Sequence, residues 1–280
     1  MQKDKRQQKA LHCKYKYIER SVKDTLGPNI ICAKACTGMR ENMTDLEAIE
    51  KRYSRRSYLN TRIDNSNLKV LKATIENYNK VSGLSIQLIE EGRETFHGLT
   101  KSYGMFSGVQ SFFALVGSTE DLNLKEKVGY YGELLVLEAT KLGLGTCWVG
   151  GSFDRKHCPC TIKEKEALIC VIALGNVEEK QSFKEKTIHK MTHRRPKPLE
   201  FFYTSDVPAP DWFLAGMKAV YIAPSTANSQ PVHFTLKNDI VIAQVKSTNY
   251  FQLVDLGIAK AHFELATGRH FELGNHGRLL

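Results

Sequence analysis

Three guanidinium groups and a hydroxyl stand close together in the segment Arg52-Tyr53-Ser54-Arg55-Arg56. Arginine suits phosphate because its planar fork donates two charge-assisted hydrogen bonds at once, and serine adds a neutral donor. A small phosphate ester would fit such a segment. The alternative is a solvated basic end of a helix, where cations interact favourably with the helix dipole. Taken alone, the segment favours this alternative.

A second polar group lies on the loop between Pro224 and Pro231, where Ser225, Asn228 and Gln230 present donors and acceptors. Amides can bind an edge of mixed donors and acceptors, as the pyrimidine ring of a flavin has. Viewed by itself, the stretch is more typical of a polar turn between a helix and a strand.

A third group is the glycine-rich run from Gly143 to Phe153, which we expect to form a loop after a helix. Gly150 and Gly151 would let backbone N–H groups approach a ligand, and Trp148 would supply a flat apolar surface. The run lacks the G-x-G-x-x-G pattern with a later acidic residue, and the chain has no Walker sequence. Rossmann and P-loop assignments therefore lack support.

Metal binding and thiol chemistry are weaker interpretations. The candidate ligands fall into groups of unequal spacing: His157, Cys158 and Cys160; Cys32 and Cys36; His189 and His193. Tetrahedral zinc needs two well-spaced ligand pairs, so we expect no structural metal. Cys147 adjoins Trp148 in an apolar stretch, and we expect it to be a small core residue and not a nucleophile.

Composition places the chain among ordinary globular proteins. Of its 280 residues, 42% are hydrophobic and 25% charged, and no apolar run reaches the ~18 residues of a membrane span. The start resembles no secretory signal, and an odd count of seven cysteines favours free thiols in a reducing compartment. We therefore expect a cytoplasmic protein with no membrane partner.

The net charge of +10 is concentrated at the amino end. Residues 1–42 hold ten Lys or Arg against four Asp or Glu, a net +6, which leaves +4 for the rest. We expect this segment to be a disordered basic extension and the folded domain to begin at Met43. Binding of nucleic acid through the extension is an alternative, but the extension lacks interleaved stacking aromatics beyond Tyr15 and Tyr17, so we expect no nucleic-acid partner.

Apolar periodicity predicts the elements that would position these groups. Thr44 and Glu47 form a capping-box pattern at the start of a first helix. Further helices are predicted over 67–78, 124–142, 210–223 and 253–267, and strands within 82–92, 109–118 and 167–176. A hairpin is predicted around Lys237-Asn238-Asp239. A polar connection from Lys180 to Pro198 would separate two halves, and the helices over 124–142 and 253–267 suggest a faint internal repeat.

In this order, the segments resemble the FMN-dependent nitroreductase family, particularly members in which one chain imitates the usual dimer. Arg52, Ser54 and Arg56 match the family's Arg-x-Ser-x-Arg pattern, and Pro224 to Pro231 match its Pro-Ser-x-x-Asn-x-Gln-Pro loop. The glycine-rich run and a strand ending in Gly also match. The resemblance spans about Met43 to Gly268.

One departure from the family is informative. In ordinary members the proline-serine loop follows the arginine segment by a few dozen residues, whereas here it lies in the second half. Dimeric relatives take the arginine segment from one subunit and the loop from the other. The resemblance thus implies an internally duplicated pseudo-dimer with one FMN per chain, held between halves spanning 43–198 and 199–280.

The resemblance further implies an α+β fold, with a mixed or antiparallel sheet flanked by helices. It implies an oxidoreductase that moves hydride from NADPH or NADH through the flavin to a small electrophilic acceptor, such as a nitroaromatic or quinone, with no catalytic side chain. The implied cofactor-binding residues are Arg52, Ser54, Arg56, Trp148, Val149, Gly150, Gly151, Pro224, Ser225, Asn228 and Gln230, joined by Arg194 and Arg195 from the basic stretch.

Two alternatives remain open at this point. A flavin-dependent dehalogenase, desaturase or flavin-consuming enzyme would resemble the family equally well. A flavin-binding or sensing module without rapid turnover would differ only in how quickly NAD(P)H reduces the bound flavin. The sequence selects neither the acceptor nor the nucleotide, nor does it indicate further oligomerisation.

Overall fold

The computed structural model describes residues 43–96, 106–192 and 197–280, and Met43–Leu280 forms a compact unit. The expected basic extension, residues 1–42, lies outside the described residues. The helices of the described part are α1 (Asp45–Lys51), α2 (Asn65–Ser82), α3 (Leu124–Lys141), α4 (Phe183–Thr192), α5 (Asp211–Tyr221) and α6 (Tyr250–Thr267). Short 3₁₀ turns span Arg93–Phe96, Leu199–Phe202 and Thr226–Asn228.

The first sheet contains β1 (Gln87–Ile89), β2 (Ser111–Ser118), β3 (Gly145–Val149) and β4 (Glu166–Gly175), in the order β1-β2-β4-β3 with every pair antiparallel. Its central strand β2 is buried on both faces. Phe113 and Leu115 pack into the cluster beneath α2 and α3, while Phe112 and Ala114 pack into a second cluster on the opposite face. Because both faces are covered, β2 has a continuous apolar sequence.

The second sheet contains β5 (Tyr203–Ser205), β6 (Val232–Lys237), β7 (Ile240–Val245) and β8 (Gly277–Arg278) in chain order. Strands β5 and β6 run parallel and the other pairs antiparallel. Asn238 and Asp239, with φ of 52° and 60°, join β6 to β7 in a two-residue turn. This confirms the predicted hairpin, and the two sheets with their helices confirm the α+β fold.

Helices α3 and α6 pack against each other more extensively than any other pair of helices in the described part of the chain. Glycine lets their backbones meet: a Cβ at Gly129 would lie 2.0 Å from the carbonyl oxygen of Val254, and one at Gly257 would lie 2.0 Å from that of Glu126. The two contacts are related by one shift of 128 residues, 129 to 257 and 126 to 254. Each helix therefore places a glycine against a backbone carbonyl group of the other, and in this sense the crossing is reciprocal.

A buried ion pair also spans this crossing. Lys260 of α6 and Glu126 of α3 are each only 2% exposed, and the Lys260 ammonium also donates to the carbonyl oxygens of Glu272 and Gly274. All three protons of the ammonium thus have acceptors, as a buried charge requires.

Two predicted segments differ from the structure. The run expected to be a glycine-rich loop contains strand β3, because Thr146 to Val149 have strand-forming side chains that pair with β4. The expected connection from Lys180 to Pro198 contains helix α4. Its sequence is polar because the helix buries little, apart from Glu185.

Candidate functional site

The arginine segment follows α1 directly and is extended. The predicted capping box is present: the Thr44 hydroxyl accepts from the Glu47 amide and the Glu47 carboxylate accepts from the Thr44 amide. Arg52 ends the helix with φ of −65° and ψ of 134°. Ser54 then forms a parallel bridge with Thr146 at the start of β3. The segment therefore lies alongside the glycine-rich run identified in the sequence.

Arg55 faces the opposite way from Arg52, Ser54 and Arg56, as alternation along an extended chain requires. Its guanidinium is buried, with Nε 3.1 Å from Oε1 of Glu185 in α4. The backbone amides of Arg56 and Ser57 donate to the same oxygen, at 2.6 and 3.1 Å. Arg55 thus holds the segment in place instead of facing a ligand.

The electrostatics of Glu185 reflect this role. Burial by itself would raise the pKa of Glu185, but the donated N–H groups of Arg56, Ser182 and Ser57, with the charge of Arg55, lower it to about 2. The carboxylate is therefore ionised across the whole range near neutral pH, and α4 anchors the arginine segment through one side chain.

Arg52 connects the segment to the proline-serine loop. Its guanidinium donates to the carbonyl oxygen of Ile222, 3.4 Å away and two residues before Pro224. Its Nε lies 3.7 Å from Oε1 of Glu133, beyond hydrogen-bonding distance, and is a buried donor without an acceptor among the described residues. Two of the groups recognised in the sequence therefore meet at this side chain.

Glu133 of α3 is the residue that the sequence interpretation missed. It is fully buried, and its Oε2 accepts from the Trp148 indole at 2.8 Å while its Oε1 lies 2.9 Å from Nε2 of His262. With Arg52 at 3.7 Å, Glu133 contacts the arginine segment, β3 and α6 together. The available signal was an acidic residue within an otherwise buried helix.

The ionisation of Glu133 follows from its surroundings. Nδ1 of His262 lies 3.0 Å from the carbonyl oxygen of Ala219, and Nε2 faces the Glu133 carboxylate. Burial alone would raise the pKa of Glu133, but His262, Arg52 and Trp148 lower it below its usual value. Glu133 is therefore an ionised carboxylate surrounded by side chains from the arginine segment, β3 and α6.

The proline-serine loop is pinned at several points. The Ser225 hydroxyl accepts from the Gln230 amide at 2.9 Å, and Nε2 of Gln230 donates to the carbonyl oxygen of Tyr221 at the end of α5. Ala227, Asn228 and Gln230 have φ of 51°, 53° and 48°. Residues other than glycine rarely adopt this left-handed backbone conformation. The loop is therefore strained, and its hydrogen bonds must offset the cost.

A family model described as "Putative TM nitroreductase" matches residues 45–267. The chain belongs to this family. The assignment supports an oxidoreductase, and no curated protein matches the chain.

One solved structure shares the fold of this nitroreductase-family protein, and two others are similar over about half of the chain. A putative nitroreductase from Thermotoga maritima MSB8 shares 18% sequence identity, with 87% of this chain and 95% of that chain covered and a TM-score of 0.59. A nitroreductase with bound FMN from Desulfitobacterium hafniense DCB-2 shares 18% identity over 51% of this chain and 93% of its own, with a TM-score of 0.40. An FMN-dependent nitroreductase from Clostridium difficile R20291 shares 14% identity over 52% and 95%, also at 0.40.

The remaining predicted site residues of this family member occupy different environments. Trp148 is half-buried and packs against Gly132 of α3, and Val149 is buried in the core. A Cβ at Gly150 would meet the Phe251 ring at 2.5 Å, whereas Gly151 borders open space. Arg194 and Arg195 lie outside the described residues.

Cysteine and metal chemistry receive no support from the geometry. Burial raises the pKa of the Cys147 thiol above its usual value, and Arg56, Ser54 and Arg52 offset this only in part. Within the described ranges, His, Cys, Asp and Glu side chains form no group of three that could hold a metal ion. In the same ranges, no helix is long and apolar enough to cross a membrane.

Proposed function

We propose that this chain binds one FMN and transfers hydride from NADPH or NADH through it to a small electrophilic acceptor, such as a nitroaromatic or a quinone. The observation that carries the proposal is the meeting of the arginine segment, β3 and the proline-serine loop around Arg52 and Glu133. These segments are separated by up to about 180 residues in the sequence, and they are the ones that the family resemblance associates with flavin.

The residues fit an anionic, acceptor-rich cofactor. Nε of Arg52 is a buried donor without a hydrogen-bond acceptor among the described residues, and its guanidinium group is permanently charged. A buried donor left without an acceptor costs free energy, on the order of 1–3 kcal/mol, which a bound acceptor would recover. A phosphate ester or the electron-rich edge of a reduced ring has the required chemistry.

The chain's own residues bind and orient, and none needs to act as an acid or nucleophile. Arg56 and Ser54 would hold the phosphate, while Ser225, Asn228 and Gln230 would contact the ring or ribityl chain. One N–H of the Gln230 amide donates to Tyr221, which leaves its Oε1 and its second N–H for the ligand. Trp148 to Gly151 would border the ring. Arg52 would stabilise negative charge on it. When bound, the flavin supplies the hydride chemistry.

The reciprocal crossing of α3 and α6 supports the proposed pseudo-dimer. Each helix has 18 residues and follows an interior strand of its own sheet. Each also has a glycine that lies against the backbone of the other helix. We assign residues 43–198 and 199–280 to the two halves on this basis.

Cys147, Cys158, Cys160 and Cys170 are free thiols, which supports a reducing, cytoplasmic setting.

The test is an absorbance spectrum of the purified protein supplied with FMN, followed by anaerobic addition of NADPH and then NADH. Near-stoichiometric flavin that is bleached by either nucleotide is the expected result. Flavin that binds but stays oxidised would favour a sensing module or a different donor. Failure to bind FMN would overturn the proposal.

A further inference from the structure

Asp255 of α6 lies beneath the proline-serine loop and is bonded to it on one side only. It is 3% exposed, and its Oδ1 accepts from the amide of Thr226 at 3.0 Å and from the Thr226 hydroxyl at 3.3 Å. Its Oδ2 is buried without a hydrogen-bond partner among the described residues. A buried carboxylate oxygen of this kind is costly, and its retention calls for an explanation.

Thr226 stands at the point where the loop turns into its strained conformation. The short 3₁₀ turn begins at Thr226, and Ala227 and Asn228 follow in the left-handed region. Each such residue costs on the order of 1–2 kcal/mol, so the surrounding contacts must hold the turn in place. Asp255 supplies two hydrogen bonds at its first residue, which are charge-assisted when the carboxylate is ionised and then about twice as strong as neutral ones.

A small cavity lies between this loop, α5 and α6. Asp255, Ser225 and Gln230 line it, and the other lining residues, such as Phe202, Val220 and Val232, are uncharged and mostly apolar. The carboxyl group thus shares a largely apolar space with two of the residues assigned to the flavin. The charge of the Asp255 carboxyl group can therefore affect how the loop is held.

Burial raises the pKa of Asp255 to about 6, and the Thr226 hydrogen bonds offset the rise only in part. The titratable neighbour from the first sheet is the Cys170 thiol of β4. Burial raises the pKa of that thiol to about 12; the charge of Arg155 lowers it slightly, and that of Asp255 raises it slightly. The thiol is therefore uncharged near neutral pH, and no charged residue from the loop, α5 or β6 lines the cavity.

We propose that Asp255 is the positioning residue of the proline-serine loop, fixing Thr226 so that the turn presents Ser225, Asn228 and Gln230, and that this anchor weakens when the carboxyl group takes up a proton. The inference rests on the proposed function for its link to flavin affinity. The anchor itself depends only on contacts within the chain.

The test compares FMN binding by the wild-type protein and Asp255→Asn at pH 8 and pH 5, using quenching of flavin fluorescence. Asparagine keeps the shape and the acceptor but removes the charge. We expect Asp255→Asn to bind FMN roughly three- to tenfold more weakly at pH 8 and equally at pH 5. Because the FMN phosphate itself titrates near pH 6, the measured quantity is the ratio of the two affinities at each pH.

Asp211→Asn is the matched control, since Asp211 is exposed at the start of α5 and undergoes the same change of charge. Its ratio to wild type should stay near one at both pH values. A ratio for Asp255→Asn that stays at one, or that is the same at both pH values, would overturn the inference, because a purely structural defect does not follow the ionisation of the carboxyl group.

A measurement on the flavin-free protein separates this inference from the proposed function. Hydrogen exchange in Asp255→Ala should show lost protection at the Thr226 amide, while amides of β6 and β7 stay protected. Unchanged protection at Thr226 would refute the anchor. If protection at Thr226 is lost in the variant but neither the wild type nor the variant binds FMN, the anchor is supported and the flavin function is rejected.

Discussion

Oε1 of Glu133 lies 2.9 Å from Nε2 of His262, and neither side chain is exposed to solvent. Nδ1 of His262 faces the carbonyl oxygen of Ala219, so the ring connects α5 to the ionised Glu133 carboxylate of α3. A buried carboxylate that loses its partners is strongly destabilising. The site's geometry therefore depends on the contacts of Glu133.

Glu133→Gln should destabilise the fold strongly, by about 3 kcal/mol, because it leaves the buried Arg52 and His262 side chains without their carboxylate partner. It should also shift the fluorescence of Trp148, whose indole donates to Glu133. Urea unfolding and emission spectra measure the two effects. Glu138→Gln on the same helix is the control, since Glu138 is partly exposed and its contact with Lys141 is worth only a few tenths of a kcal/mol. Equal effects from both variants would contradict the role given to Glu133.

Glu185→Gln should make stability depend less on pH. The folded pKa of about 2 lies below the ordinary value of 4.5, so ionised Glu185 contributes stability that is complete above about pH 4.5 and is lost as the pH falls towards 2. The contribution at pH 7 is at most about 3 kcal/mol. Unfolding free energies of variant and wild type should therefore converge between pH 4.5 and 2. A constant difference over that range would show that Glu185 does not anchor the arginine segment through its charge.

Arg52→Ala should weaken FMN binding ten- to a hundredfold, since it removes a charged donor from the buried group. Arg52→Lys should recover only part of the loss, because lysine lacks the planar fork. Arg62→Ala is the control, as the Arg62 side chain is 87% exposed in a surface ion pair. Full flavin occupancy and unchanged reduction by NAD(P)H in Arg52→Ala would show that Arg52 was assigned wrongly.

Gly129→Ala and Gly257→Ala should each destabilise the protein by about 2–3 kcal/mol, because the added methyl group would press a backbone carbonyl on the facing helix. For a protein of this size the expected fall in Tm is about 5–10 °C. The double variant should lose less unfolding free energy than the two single variants lose together, since one separation of the helices relieves both clashes. Gly151→Ala, where the added methyl meets open space, should leave Tm unchanged.

Local patterns in the sequence predicted much of the fold. The capping box at Thr44, the long helices α3 and α6 and the turn at Asn238 depend on residues close together in the chain, and the structure confirms them. Strand β3 was missed because its glycines suggested a loop, and only pairing with β4 makes it a strand. Helix α4 was missed because it has little apolar periodicity.

The site was harder to predict than the fold. The arginine segment and the loop were recognisable as motifs, whereas the role of Glu133 depends on partners at positions 52, 148 and 262 that only the tertiary structure brings together. Likewise, the sequence shows that Arg55 belongs to a basic segment but not that it pairs with Glu185 instead of a ligand. Assignment of the individual flavin contacts remains a prediction.

The reciprocal crossing of α3 and α6 is symmetric in its backbone but not in its charges. The shift of 128 residues that relates Gly129 to Gly257 relates Glu133 to Ala261, a buried apolar residue, and His262 to Leu134. Two identical chains meeting in this way would have to bury the Glu133 carboxylate and its histidine partner twice, once on each side of the axis. In a single polypeptide the two sides can differ in sequence, so that the desolvation cost of this carboxylate is incurred only once.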